Sequence, residues 1–399
     1  MLVNFKSIDD LGDLRGRHVL LRVDFNVPMK DGKITDDTRI REHVPTIRKL
    51  KEAGAKTIIL SHFGRPKGQF VAEMSLAPVV SAVSVALKAP VAYFNDCVGE
   101  KVQTVISGME EGGVVLLENL RFYPGEEANH ENFAKELASL GDFYVNDTFS
   151  TCHRAHASVV QLPTLLPCAA GESLGKELKA LEKALGRPER PVAALVGGAK
   201  VSTKLEVLLH LIDGVDHLII GGGMANTFLA AQGMNVGRSL CEVDLFDTAR
   251  EILEKSASNG CKIHLPKDVV VAKEFAENAE NKIVDIRDVA MDDMILDVGP
   301  ESVDYLASVL ETCKTLIWNG PMGAFEIEPF HKATIAMAEK AAELTASGQL
   351  LSVAGGGDTA AALKVAGVTK KFSYVSTAGG AFLEWMEGKP LPGVKALEQ

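Results

Sequence analysis

The chain lacks most features that would take it into a membrane or out of a cell. No apolar run approaches the roughly 20 residues that a spanning helix needs; residues 79–87, the most apolar stretch, are rich in serine and alanine. The opening MLVNFKSIDD has no basic segment followed by an apolar one, so no secretory leader is expected. Six cysteines (Cys97, Cys152, Cys168, Cys241, Cys261, Cys313) stand far apart with no C-x-x-C pair, which excludes a disulfide-built scaffold and predicts free thiols in a reducing, cytoplasmic setting. Positive charge is also in deficit: 42 Lys and Arg against 53 Asp and Glu leave a net charge of -11. That argues against bulk attraction to nucleic acid or an anionic membrane, so an anionic ligand must be met by locally gathered cations. Glycine (36) and proline (16) are plentiful but scattered, and 46% hydrophobic with 24% charged residues is a globular balance. Collagen, coiled coil and wholesale disorder are excluded. At about 100 to 200 residues per domain, 399 residues predict two or three domains.

What is present is a recurring unit: a short apolar run, a Gly-rich or basic turn, then a helical pattern. It appears as HVLLRVDFNVP, KTIILSHFGRP, VAALVGGAKVS, HLIIGGGMANT, TLIWNGPMGAF, QLLSVAGGGDTA and FSYVSTAGGAF. Short continuous apolar runs alternating with helices predict buried parallel strands with crossover helices, hence an α/β class. In such sheets ligands sit beyond the carboxyl ends of the strands, where these turns lie. Before about residue 170 the turns carry Arg and His; after about 190 they carry Gly, Lys and Asp, which predicts two sites of different character. Between them Leu174, Leu178, Leu181 and Leu185 recur at helical spacing, predicting a connecting helix of about 15 residues, roughly 22 Å long.

The turns carry the chemistry. GGGDTAAALKVAG (355–367) puts flexible backbone at a helix start, which suits phosphate; alternatively Asp358 is simply an N-cap. The same string fits a dinucleotide fingerprint, but residues 370–383 hold no acidic residue for a ribose, so NAD is discounted. In GGAKVSTKLEVL (197–208), Lys200 and Lys204 share a face near a helix start whose buried face is Val201, Leu205, Leu208 and Ile212. They oppose the dipole unless an anion lies between them, or else are two solvated lysines. No Walker-type string occurs. Arg22, Arg39, Arg65, Arg121 and Arg154 gather at turns of the first half; converging they would hold a small polyanion, singly each would be a surface ion pair. His153 and His156 have H-x-x-H spacing without a sensible fourth ligand, so zinc is the weaker reading. Trp318 in WNGPMGAFE is either a buried aromatic or a nucleotide-pocket wall.

Taken in order, RVDFNVP, SHFGRP, ENLRF, HRAHAS, GGAKVSTK, GGGMANTF, WNGPMGAFE, GGGDTA and STAGGA resemble phosphoglycerate kinase over about residues 20–395. The resemblance implies two similar-sized, doubly wound parallel-sheet domains that close like a hinge: residues 1–170 binding 3-phosphoglycerate or 1,3-bisphosphoglycerate, an interdomain helix 171–187, a nucleotide domain 188–380, and a tail 381–399 returning to the first domain. It implies reversible phosphoryl transfer from 1,3-bisphosphoglycerate to MgADP in glycolysis, by a cytoplasmic monomer. Asp24, Asn26, Arg39, His62, Phe63, Gly64, Arg65, Arg121 and Arg154 would bind the glycerate ligand, the last three around its non-transferred phosphate. Gly198, Ala199, Lys200, Lys204, Gly223, Asn319, Pro321, Glu326, Gly356, Gly357, Asp358 and Thr359 would line the nucleotide site. There Glu326 would take the ribose, Lys204 the phosphates and Asp358 the magnesium. Arg39 and Lys200, with backbone N–H groups around Gly356, Gly357, Gly379 and Gly380, would compensate charge on the migrating group.

Two departures from the family pattern carry weight; at the first, a retained but slightly altered phosphate cradle is expected. Ala378 replaces the first glycine of the usual STGGGA, which would strain the turn if that position needs positive φ. Thr148 and Ser150 stand where alanine and a small residue are more common, and neither is expected to touch the chemistry. The rival readings are a nicotinamide dehydrogenase, which lacks its acidic residue, and a hinged two-domain binding protein without catalysis, usually exported with a leader that is not seen here.

Overall fold

Continuous apolar runs become the strands of two parallel sheets. The computed structural model describes residues 4–398. It divides into two units: one reaches Lys179 and takes back the chain from Pro390, and the other is Ala180–Lys389. In the first unit β1 (His18–Arg22), β2 (Lys56–Leu60), β3 (Ala92–Phe94), β4 (Val114–Leu117), β5 (Phe143–Asn146) and β6 (Cys168–Ala170) form a parallel sheet in the order β3–β4–β2–β1–β5–β6. The order reverses at β1, where Arg22 pairs with Leu60 on one side and Asn146 on the other. Residues just past these three strand ends therefore emerge together, at the switch point where α/β sheets bind ligands. Helix α1 (Thr38–Glu52) buries Ile40, Val44, Ile47 and Leu50 at three-to-four spacing, in one core with Val19, Leu21, Ile59 and Leu116.

Helix α2 (Glu172–Leu181) follows β6 and buries Leu174, Leu178 and Leu181. A wider turn comes next, closed by the Arg187 N–H on the Glu182 carbonyl at 2.8 Å. That extra residue shifts the helical phase, so Ala184 is buried instead of Leu185. The returning tail begins at Pro390, not after Gly380: Gly393 N–H donates to the Cys152 carbonyl at 2.8 Å, and Val394 and Leu397 are buried.

In the second unit β7 (Val192–Val196), β8 (His217–Ile220), β9 (Lys262–His264), β13 (Thr315–Asn319), β14 (Leu351–Gly355) and β15 (Tyr374–Ser376) form the parallel sheet β9–β8–β7–β13–β14–β15. Between β9 and β13 the chain adds β10 (Asp268–Ala272), β11 (Asn281–Asp285) and β12 (Met294–Val298), an antiparallel sheet in the order β11–β10–β12 that the parallel-strand reading does not foresee. Helices α3 (Leu205–Leu211), α4 (Gly223–Ala231), α5 (Lys332–Ala346), α6 (Gly357–Val365) and α7 (Gly379–Met386) start from the turns after β7, β8, β13, β14 and β15. Helix α7 buries Phe382, Trp385 and Met386, which is why the tail leaves this unit only after it. Trp318 is buried in the core of this unit with Met337, Ala338 and Leu363, and its Nε1 donates to the Gly320 carbonyl at 2.7 Å, so the buried-aromatic reading holds. No helix among the described residues is long and apolar enough to cross a membrane. All six cysteines are free.

Candidate active site

The first unit gathers its cations at the switch point. Asp24 is buried just past β1. Burial works to raise its carboxyl, yet the Arg39 guanidinium at 3.3 Å, the Ser150 hydroxyl at 2.5 Å and the Asn26 N–H at 3.0 Å hold it below the usual range, with the His62 ring 3.9 Å away. Arg39, in the first turn of α1, also donates to the Asn26 carbonyl at 2.7 Å. Asn26 Oδ1 in turn accepts the Gly64 N–H at 3.0 Å, so these residues form one braced strip. His62 is buried, and burial together with Arg22 and Arg121 keeps its ring neutral. Arg22 donates an N–H to His62 Nδ1 at 3.2 Å, leaving the ring proton on Nε2. Arg121 is buried after β4 and donates to the Gly64 carbonyl at 2.7 Å; its Nε, 3.4 Å from Glu127, makes no hydrogen bond among the described residues. Burial, then Arg22 and Arg154, push its guanidinium down to about 10. His156 is pushed down to about 3 by burial and by Arg121, Arg22 and Arg154, and His153 is lowered by burial and Arg154. Burial leads each of these shifts, and the neighbouring arginines add to it.

The second unit holds a cavity of about 570 Å³. Its floor is three interlocked Gly-rich turns: a Cβ on Gly197 would stand 1.8 Å from the Pro321 carbonyl oxygen, and Gly222, at φ +67°, lies so close to Gly198 that its Cβ would be 2.6 Å from that carbonyl oxygen. Gly198, Ala199, Gly223, Pro321, Glu326 and Asp358 line the cavity, together with apolar side chains Leu240, Phe275, Met294 and Leu296. Asn319 and Thr359 do not line it. Asn319 Nδ2 donates to the Gly355 carbonyl at 2.8 Å and Thr359 Oγ1 accepts the Gly320 N–H at 2.7 Å, so both stitch the turns after β13 and β14 together. Gly356, Gly357, Lys200 and Lys204 are also outside the lining. Lys204 is nonetheless half-buried, and desolvation pushes its ammonium down to about 8 against the pull of Asp358. Gly357 and Gly379 open α6 and α7, and a Cβ on Gly379 would be 4.0 Å from the Gly357 nitrogen, so two helix N-termini stand side by side next to Gly380.

Residues 8–389 match the sequence model of the family described as "Phosphoglycerate kinase". The chain belongs to the phosphoglycerate kinase family. It is 61% identical over 394 residues to the phosphoglycerate kinase of Zymomonas mobilis, covering 99% of each chain, and 57% identical over 397 residues to that of Sinorhizobium medicae, covering all of both. The solved phosphoglycerate kinase of Coxiella burnetii superposes with a TM-score of 0.92 at 45% identity over 99% of both chains. That of Pyrococcus horikoshii gives 0.82 at 31% identity over 98% of both. Family membership makes the chain a phosphotransferase of glycolysis.

Against the phosphoglycerate kinase motifs, four sequence expectations need correction. Ser150 does touch the site, because its hydroxyl clamps Asp24 and meets Thr148 Oγ1 at 3.0 Å. Ala378 sits at φ -95°, outside the left-handed region, and is buried, so it carries no left-handed strain. Arg22 is a fully buried structural arginine whose three nitrogens meet Ser158 Oγ at 2.9 Å, the Val23 carbonyl and His62 Nδ1, so burial excludes the surface pair. Lys200 and Lys204 do not share a helix face: a short 3-10 turn (Val201–Thr203) intervenes, Lys200 is exposed, and α3 begins only at Leu205, with Val207, Leu208 and Leu211 as its buried residues. The sequence reading missed the apolar cavity walls. It also missed Asp297, a wall residue whose carboxyl burial pushes up to about 7 although it accepts the Ala333 N–H at 3.0 Å. Phe275 and Leu240 remain exposed despite their size, and exposure is a property of the fold that the sequence does not mark.

Proposed function

We propose that the chain catalyses reversible in-line transfer of the C1 phosphoryl of 1,3-bisphosphoglycerate to MgADP, giving 3-phosphoglycerate and MgATP, as a cytoplasmic monomer that meets no nucleic acid. The observation that carries the site assignment is Arg121, a buried cation with an unused donor, whose guanidinium is pushed down to about 10 by burial and by its neighbours Arg22 and Arg154. A small polyanion supplies what is lacking there. Arg65 and Arg154 would join Arg121 around the non-transferred phosphate, while Asp24, Asn26, His62, Phe63 and Gly64 would orient the glycerate. The cavity of the second unit would take the nucleotide, with its apolar walls on the base, Glu326 on the ribose and Lys204 on the phosphates.

Asp358 fits a magnesium site of the kind that phosphotransferases use. It is one exposed hard oxygen donor on the cavity rim, and Mg²⁺ is commonly held by one or two carboxylates plus substrate phosphates. The ion would supply charge neutralisation on the phosphates. No general base is required, because carboxylate and ADP phosphate are both oxyanions, and a neutral, buried His62 accords with that. What remains for the protein is positioning and compensation of charge on the migrating group, for which Arg39, Lys200 and the N–H groups at Gly356, Gly357, Gly379 and Gly380 are suited. Since the two ligands would be held by different units, turnover would require closure, as in the family. The test is a coupled assay with 3-phosphoglycerate, MgATP and an NADH-linked dehydrogenase. Wild type should turn over, and Arg39→Ala should lose at least about 100-fold in kcat with a smaller change in either KM. A raised KM at unchanged kcat would reduce Arg39 to a binding residue.

A further inference from the structure

His43 lies one helical turn after Arg39 on α1, and both residues grip the Asp24–Asn26 strip. Arg39 holds it by the Asp24 carboxylate and the Asn26 carbonyl, whereas His43 Nε2 accepts the Asp24 backbone N–H at 3.1 Å. The other ring nitrogen, Nδ1, is 2.9 Å from Asp147 Oδ2. Asp147 uses its second oxygen on the start of α2, accepting the N–H groups of Ser173 at 2.9 Å and Leu174 at 3.3 Å. Both His43 and Asp147 are buried, and a Cβ at Gly171 would collide with the Asp147 carboxylate, so the pair is enclosed.

Only one proton arrangement satisfies this chain of contacts. A backbone N–H can only donate, so Nε2 must be the acceptor; Nδ1 therefore carries the proton and gives it to Asp147. We infer that His43 and Asp147 form a positioning relay that ties the glycerate-facing strip to the first turn of α2, so that a ligand ordering the strip also orders that turn. The relay rests on the assignment of the strip to the glycerate ligand. It adds residues outside every motif that carries the family resemblance, within one unit of the chain.

Asp147→Asn is the diagnostic variant. The amide oxygen can still accept from Ser173 and Leu174, but its NH₂ faces His43 Nδ1 and forces the ring proton onto Nε2, against the Asp24 N–H. His43→Leu removes the relay. His43→Gln should restore it in part, since an amide spaces its acceptor and donor much as imidazole does. The measurement is amide hydrogen exchange with and without 3-phosphoglycerate, paired with kinetics and with the ¹⁵N signature of His43. In wild type, 3-phosphoglycerate should slow exchange at both the strip (Asn26, Gly64) and Ser173–Leu174, and Nδ1 should be the protonated nitrogen. In Asp147→Asn and His43→Leu the α2 effect should vanish, with KM for 3-phosphoglycerate raised about tenfold, the scale of one buried hydrogen bond, and KM for MgATP unchanged. A purely structural pair would lower the active fraction and leave both KM values alone. Protection of the strip without protection of α2 in wild type overturns the relay by itself. No protection of the strip overturns the glycerate assignment, and the relay with it. If His43→Leu does not fold, Asp147→Asn and His43→Gln decide the matter.

Discussion

Lys204 shows how a single side chain can be tuned for an anion. Burial disfavours its ammonium and brings it down to about 8, with Asp358 pulling the other way. A phosphate beside it would favour the charged form again, so the nitrogen should take up a proton as nucleotide binds. At pH 8 about half the lysines are neutral, and nucleotide binding is expected to take up roughly half a proton per site. Titration calorimetry in two buffers of different ionisation enthalpy measures this. Lys204→Arg, which stays charged, should bind nucleotide without the uptake; unchanged uptake in that variant would assign the proton elsewhere. The residue-level reading of the sequence singles out Lys204, Asp358 and the arginines as candidates because turn position and charge are local properties. It could not sort Arg22 from Arg121, since both are buried arginines near strand ends and differ in that every Arg22 nitrogen has a partner whereas Arg121 Nε makes no hydrogen bond among the described residues. For Arg22 that difference is set by Ser158, 136 residues along the chain, and is invisible in any short window.

At the scale of elements, the strand-turn-helix repeat was legible because parallel strands are buried on both faces and so read as continuous apolar runs. The antiparallel sheet was not: Asn281–Asp285 exposes three of its five residues and Met294–Val298 is only partly buried, so neither has the run that marks the others. With that sheet went the apolar walls of the second unit's cavity. Likewise the connecting helix was found from its leucines, but the wide turn after Leu181 had no compositional mark. The turn at Ala378 illustrates the limit of motif comparison, since a glycine in relatives does not prove positive φ here. With φ at -95° and a buried methyl group, Ala378→Gly should lose both packing and unfolded-state restriction, costing about 1 to 2 kcal/mol. A lower urea midpoint with an unchanged slope is the expected result. A higher midpoint would mean that alanine is strained after all.

For the whole molecule, the net charge of -11 and the crowded cations of the first unit pull acid stability in a definite direction. His156 is held neutral down to about pH 3, and His62 and His153 are lowered in the same unit, as are His217 and His264 in the other. A histidine depressed in the fold binds fewer protons than its unfolded counterpart, whose ordinary value is near 6.5. Its contribution to stability is therefore intact above about pH 6.5 and is lost progressively as pH falls toward the folded value. Asp24 is lowered too, but that contribution begins to fade only below the ordinary carboxylate range, and Lys204 changes only above pH 7. Asp297 works the other way, since a carboxyl raised to about 7 takes up its proton in the fold alone and gains stability between pH 7 and 5 on the order of one histidine's share. The several lowered histidines together outweigh it, at about 2 kcal/mol each for a strongly depressed ring by pH 5. Urea unfolding at the two pH values should show that loss in wild type, and His156→Gln, neutral throughout, should flatten the dependence by about one histidine's share. Inorganic phosphate should reduce the loss by pairing with the same arginines that repel His156. If the variant keeps the full wild-type slope, the depression at His156 is not felt in stability, and the surplus of positive charge assigned to the arginine group is already neutralised by its own surroundings.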